Sequence, residues 1–341
     1  MSNRSSASRS VIHAVAVSYP LNAVMCLAHV ALNVFVLFAF PLMGLPRPAI
    51  ALCVVLAVSL TSNSLFSVFH EAIHRSLGPT TRVPVIGISF NDLMGRVIGI
   101  CFGSPFHFVA SAHITHHSVN RTHVEHPDLL EDAIGSKERR SFFLGYYFFL
   151  LGGLYQAELL VPLVLCLPRK AAQWLLARAF PADSMPDQAL RRIYRSRYDL
   201  RAIRLDEMVI VITIGLSAAL YGPYWWILLC HFAVRAFLIS FLDYLYHYAS
   251  PLGDRLHGYN LRLPKVLSVA ILNFNYHGIH HRFPSLPWRA LRHVFNDEAL
   301  VFDNHYVAQA VLQLKGPLTR DALQKLMDRR TESRREIALE R

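Results

Sequence analysis

Charge is scarce in this chain of 341 residues. Asp, Glu, Lys and Arg make up 17% of it, where a soluble domain carries about 25%. Set against 53% hydrophobic residues, that shortage excludes a disordered or low-complexity chain, since so apolar a polymer does not stay solvated. Cysteine is also sparse. Cys26, Cys53, Cys101, Cys166 and Cys230 are scattered through apolar stretches with no CxxC spacing. A zinc knuckle, a ferredoxin-type cluster and a disulfide framework are thereby excluded, and buried thiols remain. The sequence has no GxGxxG after a strand and no recognisable haem domain, so any electrons it uses come from outside. It lacks the signatures of an OB fold, a helix-turn-helix or an RNA-binding module, which sets nucleic acid aside. The excess of 34 Lys and Arg over 23 Asp and Glu, +11 in net, suits anionic lipid or an acidic partner instead.

The apolar residues come in membrane-length blocks. Residues 21–43 and 49–69 contain no Asp, Glu, Lys or Arg, and each run is long enough to cross a hydrocarbon core of about 30 Å as a helix. Leu45-Pro46-Arg47-Pro48 makes the turn of this first hairpin. A second hairpin is expected over residues 208–246, turning at Tyr221-Gly222-Pro223, with Arg235 facing inward because an ionisable group at that depth needs protein or water around it. The N-terminus carries Arg4 and Arg9 and no small-residue cleavage site after a short apolar core, so residues 1–20 are expected to be an uncleaved cytoplasmic tail. Residues 141–167 are apolar enough to span. A single crossing there would export residues 168–207, with nine Lys or Arg against five acids, contrary to the positive-inside tendency. That segment, with its Glu158, Gly152-Gly153 and Pro162, is therefore expected to be re-entrant or interfacial, as are residues 85–110. The expected fold is an all-α integral membrane protein of two transmembrane hairpins, four crossings, with a cytoplasmic helical cap holding a two-metal site; six crossings is the alternative. Its parts are the tail 1–20, a membrane domain 21–292 and a charged cytoplasmic segment 293–341.

What stands out against this background is 18 histidines. In His70-Glu71-Ala72-Ile73-His74 the two imidazoles share one helix face, one turn apart. Alone, this string also fits the HExxH of a zinc protease. The rest of the chain decides. His113, His116 and His117 form an HxxHH string, and His277, His280 and His281 form another. A zinc protease needs three protein ligands and an open position, whereas eight imidazoles in three strings suffice for two metals. Imidazole suits iron, zinc, copper or nickel. Two redox-active irons are favoured, because the site adjoins a bilayer of inert alkyl chains whose transformation requires oxygen chemistry.

With its HxxxH, HxxHH and HxxHH in order between two hairpins, the chain resembles the membrane fatty-acid desaturase and hydroxylase superfamily, the histidine-box diiron proteins, over roughly residues 21–292. The run Arg282-Phe283-Pro284-Ser285-Leu286-Pro287-Trp288 after the third box is particularly similar. The resemblance implies a further ligand at the end of the fourth crossing, where His247 stands. It also implies a role for the residue four before it, an asparagine reaching the metal through water in stearoyl-type desaturases. Here that residue is Asp243, which could bind iron directly, bind through water or orient His247. The expected ligand set is thus His70, His74, His113, His116, His117, His247, His277, His280, His281 and Asp243. His123 and His126 are not expected as direct ligands. His107, His231 and His257 read as packing residues, His13, His29, His293 and His305 as background, and Glu71 as a supporting or solvated acid rather than a general base.

The function implied is an O2-dependent, diiron, membrane-bound fatty acyl desaturase. A fatty acid or alkyl hydroxylase or a carotenoid ketolase would use the same boxes. A non-catalytic membrane metal-binding or transport protein is the reading from another class; transporters place their polar ligands near the bilayer midplane, whereas these boxes fall at helix ends. The partners implied are a ferredoxin, rubredoxin or cytochrome as electron donor, and an acyl lipid, acyl-CoA or acyl carrier protein as substrate. The arginines between Arg191 and Arg204 are expected to lie on anionic headgroups or to receive an acidic carrier. Residues 315–341 are expected to form a solvated helix.

Overall fold

The structure, a computed structural model, describes residues 17–44, 47–82, 87–130 and 135–339, with the side chains of 333–339 excepted. Most of the expected N-terminal tail, half of the first turn (Leu45-Pro46) and the last two residues therefore lie outside the described residues. The chain is helical nearly throughout. Two long helices open it, α1 (Tyr19–Leu42) and α2 (Pro48–Ile73), both long and apolar enough to cross a bilayer. Pro20 and Pro48 stand in their first turns, where a missing N–H leaves no helical bond unmade. Next come α3 (Phe90–Phe102) and α4 (Phe106–Val119), bent 101° to one another. The bend needs a left-handed residue, and Gly103 supplies it at φ 97°. The N–H groups of Gly103 and Ser104 both return to the Gly99 carbonyl, at 2.8 and 3.0 Å.

Helix α5 (Ser136–Leu165) also has the length and apolarity of a span, which the expectation of an interfacial segment did not rest on. It is broken at Gly152, whose backbone is non-helical. The break is a kink in the helix. Tyr146 and Leu150 pack with Tyr248 and Ala249, an ideal Cβ on Gly152 would touch Ala236 at 3.5 Å, and the Tyr155 N–H donates to Ser240 Oγ at 3.1 Å. Farther on, the Leu165 and Leu167 carbonyls accept from Arg204 at 2.8 and 3.0 Å. The short helices α6 (Arg169–Ala179) and α7 (Met185–Arg195) follow, then α8 (Arg197–Tyr221) and α9 (Trp225–Tyr244). The last two run as one 48-residue apolar stretch interrupted at Gly222, pack against each other and so form the second hairpin.

Arg235 of α9 is 1% exposed and ties three helices together. It donates to Asn33 Oδ1 on α1 at 2.6 Å, to Ser62 Oγ on α2 at 3.2 Å, and to the Cys101 and Phe102 carbonyls at 2.8 and 3.0 Å. Those carbonyls are the unpaired end of α3, where positive charge is favourable. The main apolar core lies between these helices and the site, with Phe66, Phe69, Phe102, Phe106, Tyr155 and Phe274 at its centre.

After α9 come α10 (Lys265–Ala270), α11 (His277–Arg282), α12 (Trp288–Asp297), α13 (Tyr306–Leu312) and α14 (Arg320–Leu339), with a two-residue parallel pair of β1 (Leu261–Arg262) and β2 (Asn304–His305). The helix expected within residues 315–341 is there as α14, though not wholly solvated, and the stretch ahead of it also reaches the end of α9. Gln309 Nε2 donates to the Leu245 and Tyr248 carbonyls at 3.1 and 3.0 Å, and Gln313 Nε2 to Phe241 O at 2.8 Å. Arg330 donates to Ala249 O and Gln309 Oε1. The unpaired carbonyls at the end of α9 draw these polar side chains in.

Candidate metal centre and the adjoining cavity

The three strings and His247 meet at one end of the bundle. His70 from the last turn of α2, His74 just beyond it, His113 and His117 from α4, and His280 from α11 form one group; His116, His247, His277 and His281 form a second. Within each group the nitrogens offered lie within 4.8 Å of one another. In HxxHH the first and fifth residues join one group and the fourth joins the other, so α4 and α11 each serve both groups.

The distances suit metals better than hydrogen bonds. Nε2 atoms run in a chain from His74 to His113, 2.9 Å, to His117, 3.0 Å, to His280, 3.0 Å, to His70, 3.1 Å. Each Nε2 carries at most one proton, so no assignment of protons makes all four contacts hydrogen bonds. A metal at about 2.1 Å from each nitrogen, with bonds near right angles, would space them by about 3 Å. The second group has the same spacing, His247 to His277 at 3.0 Å and His277 to His281 at 3.1 Å. Burial, helped by the neighbouring imidazoles, holds His247, His277, His280 and His281 well below the usual imidazole value, and burial lowers His74 to about 4. Neutral imidazoles with converging lone pairs are what a first-row metal requires, so the donor set fits two such ions.

Supporting contacts fix the rings. His116 Nδ1–H donates to both oxygens of Glu125, at 2.8 and 2.9 Å, which leaves Nε2 as the ligand atom. The preceding strings gave no sign of Glu125: it reaches His116 only because the chain turns back after α4. That turn is held by the buried ion pair of Arg121 and Asp128, whose other partners are Ser250 O and the Ala249 N–H, both at 2.7 Å. Asn120 Nδ2 donates to the His257 carbonyl at 2.9 Å. Glu71 is buried rather than solvated. Its Oε2 accepts from Ser76 Oγ at 2.7 Å and from the Trp288 N–H at 3.2 Å, tying α2 to α12. A Cβ on Gly278 would stand 2.4 Å from Gly258 O, so the loop before β1 can lie on α11 only because residue 278 has no side chain.

Asp243, expected as a tenth ligand, belongs to neither group. At the end of α9 it faces a cavity of about 630 Å³ instead, whose wall also includes His113, His116, Glu125 and Glu158. Helix α9 ends at Tyr244 and His247 lies in the turns beyond, so the two side chains do not stand one turn apart on a single helix. His123 is exposed, and His126 is part of the cavity wall; neither joins a group. His231 Nδ1 meets Ser59 Oγ at 2.8 Å and His107 Nδ1 meets Asp199 at 3.1 Å, ties between helices. The rest of the cavity wall is mainly apolar, with Phe66, Val109, Phe142, Phe149, Leu150 and Leu154 among its residues. Of the arginines between 191 and 204, Arg191 pairs with Asp183 and Asp187, and Arg204 holds the end of α5.

Among known proteins, the family described as fatty acid desaturase matches residues 45–312 of this chain, a span that contains all nine histidines. No curated protein matches it.

Proposed function

The chain belongs to the fatty acid desaturase family, and on that premise we propose that it is an O2-dependent diiron oxidoreductase of the membrane that desaturates the alkyl chain of a lipid. The observation that carries the reading is the pair of histidine groups set beside a largely apolar cavity within a bundle of membrane-length helices. His70, His74, His113, His117 and His280 would hold one iron, and His116, His247, His277 and His281 the other. Two irons held there would supply the reduction of O2 that drives removal of hydrogen from an unactivated methylene. Two hydrogens leave neighbouring carbons, an alkene forms, and two electrons and two protons from outside complete the reduction of O2 to water. The apolar wall binds the chain and excludes water, Glu125 holds the Nδ1 proton of His116, and the turn fixed by Arg121 and Asp128 keeps Glu125 in place. A ferredoxin, rubredoxin or cytochrome supplies the electrons at the cytoplasmic face, where the site and both termini are assigned by the charge of residues 168–207. The acyl group reaches the cavity as a lipid, a CoA ester or a carrier-protein ester.

The test is metal content together with the lipids of a host that expresses the chain. His116→Ala and His280→Ala are expected to lower metal content and abolish the new product, whereas His123→Ala keeps both. Equal losses at all three positions would overturn the ligand assignment, and a hydroxylated rather than unsaturated product would overturn the reaction.

A further inference from the structure

Among the described residues, three carboxyl side chains, Glu125, Glu158 and Asp243, and three imidazoles, His113, His116 and His126, line the cavity, with no lysine or arginine, in a chain whose net charge is +11. Glu125 is engaged by His116. Glu158 is not engaged in this way: its Oε2 is buried and has no hydrogen-bond partner. Its backbone is held, the carbonyl accepting from Ser104 Oγ at 2.8 Å, so the residue is fixed just after the Gly152 break while its Oε2 is left without a partner. Asp243 lines the same cavity from α9, one turn beyond Ser240.

Such carboxyls are costly in apolar surroundings unless something pairs with them. A plain alkyl chain would cover them and give nothing in return. A fatty carboxylate or a phosphate entering this far would meet charge of its own sign. A protonated amine has the opposite charge and several N–H donors, and its bonds to carboxylates are of the strong, charge-assisted kind. We propose that the chain oxidised by this protein carries a basic nitrogen, as a primary or secondary ammonium, and that Glu158 and Asp243 receive it inside the cavity and select the substrate. This rests on the reading of the cavity as the substrate site. It puts the nitrogen at the Glu158 and Asp243 wall of the cavity, not in a headgroup outside.

The test uses the metal-loaded protein in nanodiscs of phosphatidylcholine, with octylamine, octanol and octanoate as probes of one length and three charges. Octylamine is expected to bind at least about tenfold more tightly than octanol, the lower end of what a charge-assisted hydrogen bond provides, and octanoate most weakly. Glu158→Gln, nearly isosteric, is expected to remove about tenfold of the preference for the amine while leaving octanol affinity unchanged, which shows the cavity intact. Asp243→Asn is expected to act in the same direction. Equal affinity for the three probes, no binding of any of them, or a preference that survives both substitutions overturns the inference. Metal content and host lipids are measured on the same proteins. Conversion of ordinary lipids without any amine preference overturns the amine alone; absence of metal and product overturns the functional reading itself.

Discussion

At the scale of single residues, the site divides into groups that converge and groups that hold them. Glu125 is the clearest of the second kind, because both its oxygens take the one Nδ1 proton of His116. A carboxylate in that position raises the basicity of the opposite nitrogen and fixes its direction. Glu125→Ala is therefore expected to weaken metal binding by about 10–100-fold, with Glu125→Gln in between, read by titration of the metal-free protein with Fe²⁺. Unchanged affinity in both would make the contact incidental. Asp243 is expected to behave differently, since it lies outside both histidine groups: Asp243→Asn should retain the wild-type metal complement, and loss of one of two metals would return it to the ligand set. Eight of the nine histidines were legible in the sequence because spacings of three and four are a local property of a helix, and His247 came only from the family resemblance. Glu125 was not legible, because its contact depends on where the chain goes after a helix ends.

At the scale of elements, the long helices and the second turn could be read from apolar length and from Gly222, but their polar fastenings could not. Arg235 illustrates why. Its inward direction follows from the cost of charge in a membrane, yet its partners come from three other segments, more than 130 residues away in each case. Replacing it by Leu leaves Asn33 Oδ1 and the Cys101 carbonyl without their donor, while the Phe102 carbonyl keeps the Tyr155 hydroxyl. With each such loss worth about 1–3 kcal/mol, Arg235→Leu is expected to destabilise the bundle by at least about 2 kcal/mol, seen as a lowered unfolding midpoint in detergent. A change below about 1 kcal/mol, within the scatter of ordinary substitutions, would mean that water takes over those groups. The last segment of the chain carries the same lesson. Its mixed charge suggests a helix in solvent, and residues 320–339 are helical, but Arg330 is spent on Ala249 O and Gln309 Oε1.

At the scale of the whole molecule, the site constrains how the chain can cross a membrane. His70 and His74 mark the end of α2, and His247 follows the end of α9, yet these histidines share one centre; the rings of His116 and His247 are 4.7 Å apart. Helices α2 and α9 therefore end on the same side, and the chain between them makes an even number of crossings. The hairpin of α8 and α9 already provides two. On the proposed topology a single crossing by α5 would break the count, however apolar that helix is. Both its ends would then lie on the side of the histidines, together with α6, whose exposed Trp174 under Arg178, 3.7 Å from ring centroid to guanidinium, suits a helix lying in the interface. Single cysteines at the exposed positions Arg47, Arg169 and Lys265, in a chain from which the five native cysteines have been replaced, make this measurable. With a membrane-impermeant thiol reagent, Arg169→Cys and Lys265→Cys are expected to react in inverted vesicles and to be protected in intact cells, and Arg47→Cys to show the opposite pattern. If Arg169→Cys reacts together with Arg47→Cys, α5 crosses the membrane and the even count fails. If all three patterns are inverted, the count stands but the histidines face away from the cytoplasm, and the electron donor must be sought on the other side.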